Sequence, residues 1–147
     1  MTEAVIGVCG ADRTSVRLSP VNPYNDCHES APQATFERVV RELSQLHIAF
    51  VDMVETGSEK VPVDFRAMRR AFNGLWMTGG GYDRARADAA IAAGDADLIA
   101  FGKAFLANPD LPRRFEFGAP LNPFDVPTFY SPGPRGYIDY PALTTAG

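Results

Sequence analysis

"DADLIAFGKAFLANPDL", Asp95 to Leu111, begins with a short apolar run, Leu98 to Phe101, and passes through Gly102 and Lys103 into a helical pattern. The run is too short for a helix and is bounded by turn residues, so it is a buried strand. Just upstream, "GLWMTGGGYD", Gly74 to Asp83, supplies another strand, Leu75 to Thr78, that ends in three consecutive glycines. Two strands that run out into glycine and then into a helix suggest one anion site. Glycine lets backbone N–H groups approach an anion closely, and a helix N-terminus adds a favourable partial charge.

The same alternation extends outward on both sides. Thr2 to Cys9 forms the final turns of a helix closed by Gly10, with Cys9 on its apolar face. "TSVRLSP", Thr14 to Pro20, is a short strand with Arg17 near its carboxyl end. A polar loop over Val21 to Pro32 leads to a helix from Ala34 to Leu46, which carries Phe36, Val39, Val40, Leu43 and Leu46 on one face. Ile48 to Glu55 is the next strand, followed by a polar loop and a helix from Val63 to Phe72 that Gly74 terminates. Asp83 is placed to cap an alanine-rich helix that runs to Ala93 and closes at Gly94. Beyond Phe101 come two short helices, Lys103 to Asn108 and Pro109 to Phe117. The tail from Gly118 to Gly147 is an ordered irregular segment whose aromatics need covering. Trp76 packs between sheet and helix and Tyr82 at the helix entrance, with no chemical role for either.

Short strands alternating with helices pair in parallel through right-handed crossovers. Four such units make either an open doubly wound sheet or half of an eight-stranded barrel, and periodicity does not choose between them. With 147 residues, 46% apolar and 22% charged, the chain is a single globular domain spanning 1–147. A net charge of −4 with interspersed signs argues against nucleic acid and anionic membrane as partners. No apolar run approaches the roughly 20 residues of a bilayer span, and the first residues lack a signal-peptide layout, so a cytoplasmic location is expected. The two cysteines, Cys9 and Cys27, lack metal-ligand spacing and the two histidines, His28 and His47, lie far apart, so neither a metal site nor a disulfide is expected.

The blocks "GADRTSVRLSP" (Gly10 to Pro20), "GGGYD" (Gly79 to Asp83), "ADLIAFGKAFLANPDL" (Ala96 to Leu111), "GAPLN" (Gly118 to Asn122) and "TFYSPGPRGYIDYP" (Thr128 to Pro141) resemble, in order and spacing, the old yellow enzymes. These are FMN-dependent ene-reductases of the (β/α)8 TIM barrel fold. The resemblance implies an α/β fold that is half of such a barrel, four β/α units matching strands five to eight, with an irregular carboxyl-terminal tail. Met1 would then fall inside the helix that precedes strand five.

In such barrels the loops after the last two strands commonly bind phosphate. The resemblance assigns Gly80, Gly81, Gly102 and Lys103 to the FMN phosphate, with Lys103 standing where the family usually has arginine. A lysine keeps the charge and gives up the bidentate fork. It also assigns Arg17 to the flavin N1 and C2 carbonyl, where negative charge gathers on reduction, and Tyr130 to the substrate side of the flavin. The alternative for Arg17 is a surface pair with Asp12 or Glu29. Asp52 stands where family members often carry histidine, and a buried carboxylate there needs a partner.

The family chemistry passes a hydride from NADH or NADPH to FMN and then to an activated alkene. The groups that bind the substrate oxygen and deliver the proton lie on the upstream half, so the resemblance maps no catalytic residue onto this chain. It implies a flavoprotein oxidoreductase that requires a complementing amino-terminal half-barrel or a second copy of itself. The alternatives are a non-catalytic FMN- or phosphate-binding half-barrel that self-associates, and an inactive truncated remnant.

Overall fold

The computed structural model describes residues 1–22, 24, 27–57 and 60–144. Parts of the loop expected over Val21 to Pro32 and of the loop after Glu55, and the last residues of the tail, lie outside the described residues. The chain forms two compact units, Met1–Ala100 and a second that begins at Phe101.

The first unit contains α1 (Thr2–Cys9), β1 (Ser15–Leu18), α2 (Pro32–Gln45), β2 (Phe50–Val54), α3 (Phe65–Arg70), β3 (Leu75–Gly79), α4 (Arg84–Ala92) and β4 (Leu98–Ala100). The expected strands and helices are all present, most of them trimmed by a residue or two. At α2 the helix starts earlier than expected, because proline is tolerated at the first helical position, where its N–H is not needed. At α3 it starts later, because the Asp64 carboxylate accepts the Ala67 N–H at 2.9 Å and caps the helix there. Asp83 caps α4 as expected, accepting from the Arg86 N–H at 2.8 Å.

The four strands pair in parallel in the order β1-β2-β3-β4. Their register lines up rows across the sheet, and side chains alternate between its faces. Val16, Val51 and Trp76 form one row, and Leu18, Met53, Thr78 and Ile99 another. These rows meet the helices: Val40, Leu43, Val51, Met53, Met68, Phe72 and Trp76 form the buried core, with Ile6, Val16, Leu18 and Ile99 packed against it. Trp76 is 1% exposed and lies beside Phe72, as its sequence position led us to expect.

The opposite face carries Ser15, Phe50 and Leu75, then Arg17, Asp52, Met77 and Leu98, then Val54, Gly79 and Ala100. Leu75 and Leu98 are exposed there, and β1 and β4 are edge strands of the described sheet. One expectation needs correcting at α1. It buries no residue, and Val8 and Cys9 are exposed, so Cys9 does not sit on a packed apolar face.

The second unit contains α5 (Lys103–Ala107) and α6 (Leu111–Phe117), followed by the irregular tail. Polar bonds anchor this tail, and the expected covering of its aromatics is partial: Phe129 and Tyr140 are half-buried, whereas Phe124, Tyr130 and Tyr137 are exposed. Buried Arg114 pairs with Asp110 at 2.7 Å and donates to the carbonyls of Pro120 at 2.6 Å and Pro141 at 2.8 Å. Asp110 accepts the Leu143 N–H, and Asn122 donates to Pro141 as well. With the backbone held this way, Phe124 and Ile138 remain exposed.

The two faces of the sheet predict opposite responses to the same truncation. Met53→Ala, in the covered row, costs about 3 kcal/mol of unfolding free energy, whereas Met77→Ala, on the uncovered face, costs under about half of that. Urea denaturation of the two variants measures the difference.

Candidate functional site

Because the strands are parallel, their carboxyl ends share one edge of the sheet. The pairing of Gly79 with Ala100 sets the ends of β3 and β4 side by side, and the Gly80–Gly81 turn and the Gly102–Lys103 turn follow directly along the chain.

Three bonds from Glu55, the residue just past β2, fix the glycine turn. Its Oε1 accepts from the Thr78 hydroxyl at 2.7 Å, and its Oε2 accepts from the Tyr82 hydroxyl at 3.0 Å and from the Arg86 guanidinium at 2.7 Å. The Arg86 guanidinium carbon also lies over the Tyr82 ring, 3.8 Å from its centroid. Burial first, and then the Glu55 charge, raise the Tyr82 pKa above the usual phenol value, which keeps it protonated as a donor. Tyr82 is thus a working part of the turn rather than mere packing at a helix entrance.

This network decides where the amides point. The Gly79 carbonyl accepts the Glu55 N–H at 2.9 Å, on the β2 side. In a trans peptide the next N–H points the opposite way, so the Gly80 N–H is turned toward the β4 side. Arg86 takes the Gly80 and Gly81 carbonyls at 3.3 and 3.5 Å, which turns the following N–H groups away from it. Among the described residues the N–H groups of Gly80, Gly81, Gly102 and Lys103 make no hydrogen bond. Donors held in place and left unpaired fit an anion.

Glycine is required at these positions to different degrees. Gly80 has φ +111°, and a Cβ there would lie 2.7 Å from Thr56 Oγ1 and 2.9 Å from Thr56 N. Gly81 has φ +72°, with only an Arg86 nitrogen at 4.0 Å. At Gly102, where φ is −93°, a Cβ would meet nothing within 4 Å. Neither the φ angle nor packing calls for glycine at 102, which leaves room for close approach by a ligand.

Lys103 is the first residue of α5, and its ammonium lies 5.9 Å from the Phe124 ring centroid. Tyr130 is 98% exposed at a positive φ of 60°, its N–H donating to the Tyr137 hydroxyl. Arg17 pairs through Nε with Asp52 Oδ2 at 3.4 Å, not with Asp12 or Glu29, because the register sets residue 17 opposite residue 52. Burial raises the Asp52 pKa and the nearby Arg17 lowers it, with burial prevailing. The reading of the chain missed Glu55, Thr78 and Arg86. The signal available was the four-residue spacing of Tyr82 and Arg86 at a helix entrance, beside a carboxylate at the end of a strand.

Two outcomes test this geometry. Gly81→Ala costs about 1 kcal/mol through its left-handed backbone, and Gly80→Ala roughly twice that or more, because Cβ also meets the β2–α3 connection; unfolding midpoints rank the two. For Asp52 the folded pKa lies above 3.8, so its contribution to stability is full at lower pH and is lost as pH rises through the folded pKa. The stability advantage of Asp52→Asn over the wild type therefore grows across that window and then levels off, as read from urea midpoints at a series of pH values.

The model of the NADH:flavin oxidoreductase / NADH oxidase family matches residues 1–122. A putative 12-oxophytodienoate reductase 12 of Oryza sativa subsp. japonica is 45% identical over 100% of this chain and 40% of its own length. The rice 12-oxophytodienoate reductase 1 is 44% identical over 96% of the chain and 39% of its own. Among solved structures, morphinone reductase in complex with tetrahydroNAD matches with TM-score 0.90 and 38% identity over 98% of this chain and 39% of that one. The old yellow enzyme from Trypanosoma cruzi matches with TM-score 0.91 and 30% identity over 97% of the chain and 38% of its own. The chain thus spans about 40% of the length of these relatives, and its four parallel β/α units are half of their TIM barrel. It belongs to the NADH:flavin oxidoreductase / NADH oxidase family.

Proposed function

We propose that residues 1–147 are one incomplete barrel domain of an old yellow enzyme, and that it binds FMN and works as an NADH- or NADPH-dependent oxidoreductase acting on activated alkenes. The observation that carries this reading is the adjacency of the carboxyl ends of β3 and β4, each running into glycine amides with no internal partner, in a chain of this family. Gly80, Gly81 and Gly102 present N–H groups to the FMN phosphate, and Lys103 adds one ammonium. Arg17 faces the N1 and C2 carbonyl edge of the flavin, where a fixed cation favours accumulating negative charge. Tyr130 lines the substrate side.

When bound, FMN supplies hydride acceptance from a nicotinamide and hydride donation to an alkene conjugated to an electron-withdrawing group. The chain's own residues bind and orient it. The substrate's hydrogen-bond donors and the proton source belong to an amino-terminal half, and the uncovered face and edge strands β1 and β4 are where that half packs. Among the described residues no helix is long and apolar enough to cross a membrane, and we place the enzyme in the cytoplasm. The same edge strands favour a second reading, a half-barrel that binds FMN without redox turnover and pairs with a second copy of itself. A yellow chain that cannot oxidise a nicotinamide even when complemented selects it.

Titration with FMN and with riboflavin, which lacks the phosphate, tests the site. Wild-type chain prefers FMN. Gly102→Ala and Lys103→Gln each weaken FMN by about tenfold and leave riboflavin unchanged, as expected for one lost charged or close contact. Equal affinity of the wild type for the two flavins would refute the phosphate assignment, and Gly102→Ala serves as a clean probe because its Cβ meets nothing in the fold.

A further inference from the structure

The charged pair on the uncovered face has no counterpart elsewhere in the sheet. Arg17, Asp52, Met77 and Leu98 form one row across the four strands. Asp52 is flanked along β2 by Phe50 and Val54 and faced across β3 by Met77, so among the described residues Arg17 is the charged group beside it. Its side chain is 15% exposed, and Oδ1 is buried without a hydrogen-bond partner. Arg17 is 66% exposed and engages Asp52 through Nε, while its two Nη nitrogens make no bond among the described residues.

An arginine at a strand end in open solvent samples many rotamers, and ordering its side chain for a ligand has an entropic cost. A carboxylate fixed on the neighbouring strand, on the Nε side, restricts the guanidinium before the ligand arrives. It also sets a negative charge beside the cation, so the site presents less net positive charge than arginine alone.

We propose that Asp52 is a positioning residue for Arg17: it holds the Nε edge of the guanidinium, leaves both Nη nitrogens for the electron-rich edge of the flavin, and offsets the cation's charge. This rests on the reading above in which Arg17 faces the flavin. The consequence concerns which flavin state the site prefers. Neutralising Asp52 leaves Arg17 unopposed and favours the reduced form, which carries more negative charge at N1 and the C2 carbonyl. Protonation of Asp52 does the same in the wild type.

The test compares the affinity of the 147-residue chain for oxidised and chemically reduced FMN in four forms: wild type, Asp52→Asn, Arg17→Gln and the double variant. Asp52→Asn, which retains a carbonyl oxygen toward Nε, raises affinity for reduced over oxidised FMN by about tenfold, the effect of roughly one pKa unit of charge interaction. The effect disappears in the Arg17→Gln background, and the wild type approaches the Asn variant as pH falls through the Asp52 titration. A ratio that Asp52→Asn leaves unmoved, or a shift that persists without Arg17, overturns the proposal. Carbon-13 titration of the unliganded chain gives a readout free of flavin: Arg17→Gln raises the Asp52 midpoint, and an unchanged midpoint overturns the pairing itself. A wild type that binds neither form of FMN brings down the flavin reading and the ligand part of this proposal with it, whereas the carbon titration still decides whether Asp52 holds Arg17.

Discussion

The parallel, in-register pairing of the four strands is the constraint on which everything else depends. Parallel pairing sends every strand's carboxyl end to the same edge, and the two-residue period of a strand sends alternate side chains to opposite faces. Once Gly79 lies opposite Ala100 and Arg17 opposite Asp52, β3 and β4 end side by side on one rim and two opposite charges share one row. A slip of one residue in β1 would turn Arg17 toward the helices, where Val16 and Leu18 now pack, and would bring an unsolvated guanidinium into the core. The register is therefore held by the apolar rows on the covered face, and the juxtaposition of Arg17 and Asp52 on the other face follows from it.

At the rim, one carboxylate organises the glycine turn. Glu55 binds Thr78 and Tyr82 and anchors Arg86, which in turn holds the carbonyls of Gly80 and Gly81. A run of three glycines has more backbone freedom to lose than any other tripeptide, so an ordered Gly79–Gly81 turn needs such external bonds. The network works from the carbonyl side and leaves the N–H side open. That division lets a single turn be both rigid and available to an anion.

The strand and helix order, the cap at Asp83 and the core position of Trp76 were legible because each rests on local periodicity or on a residue with one dominant conformational use. The glycine turns were legible for the same reason. The partner of Arg17 was not, because Asp12 and Glu29 are nearer in sequence and only the strand register brings in Asp52. Glu55 escaped notice because its three partners, Thr78, Tyr82 and Arg86, come from a strand end, a turn and a helix 23 to 31 residues away. The tail misled in a different way. Its aromatic content implies burial, yet Arg114 satisfies two carbonyls of the segment while Phe124, Tyr130 and Tyr137 stay exposed and only Phe129 and Tyr140 are half-buried. Composition reports how much apolar surface a segment carries, and a buried arginine can order such a segment without covering that surface.

The uncovered face carries a size gradient from one end of the strands to the other, and the charged pair lies within it. Phe50 and Leu75 fill the row at the amino end of the strands, whereas Val54, Gly79 and Ala100 make the row at the carboxyl rim. Large residues below and small ones above leave space on the rim side, and a Cβ on Gly79 would come within 3.1 Å of the Ala100 Cβ, so that row cannot easily grow. The row between them carries the one ion pair seen on this face among the described residues. The desolvation there falls on Asp52, whose side chain is 15% exposed, and not on Arg17, which is largely solvated. Paired, the two charges offset each other in part, and the Nη edge of Arg17 stays toward solvent. The pair and the taper therefore belong to one arrangement set by the register: small residues line the rim, and beside them Asp52 holds the Nε side of Arg17.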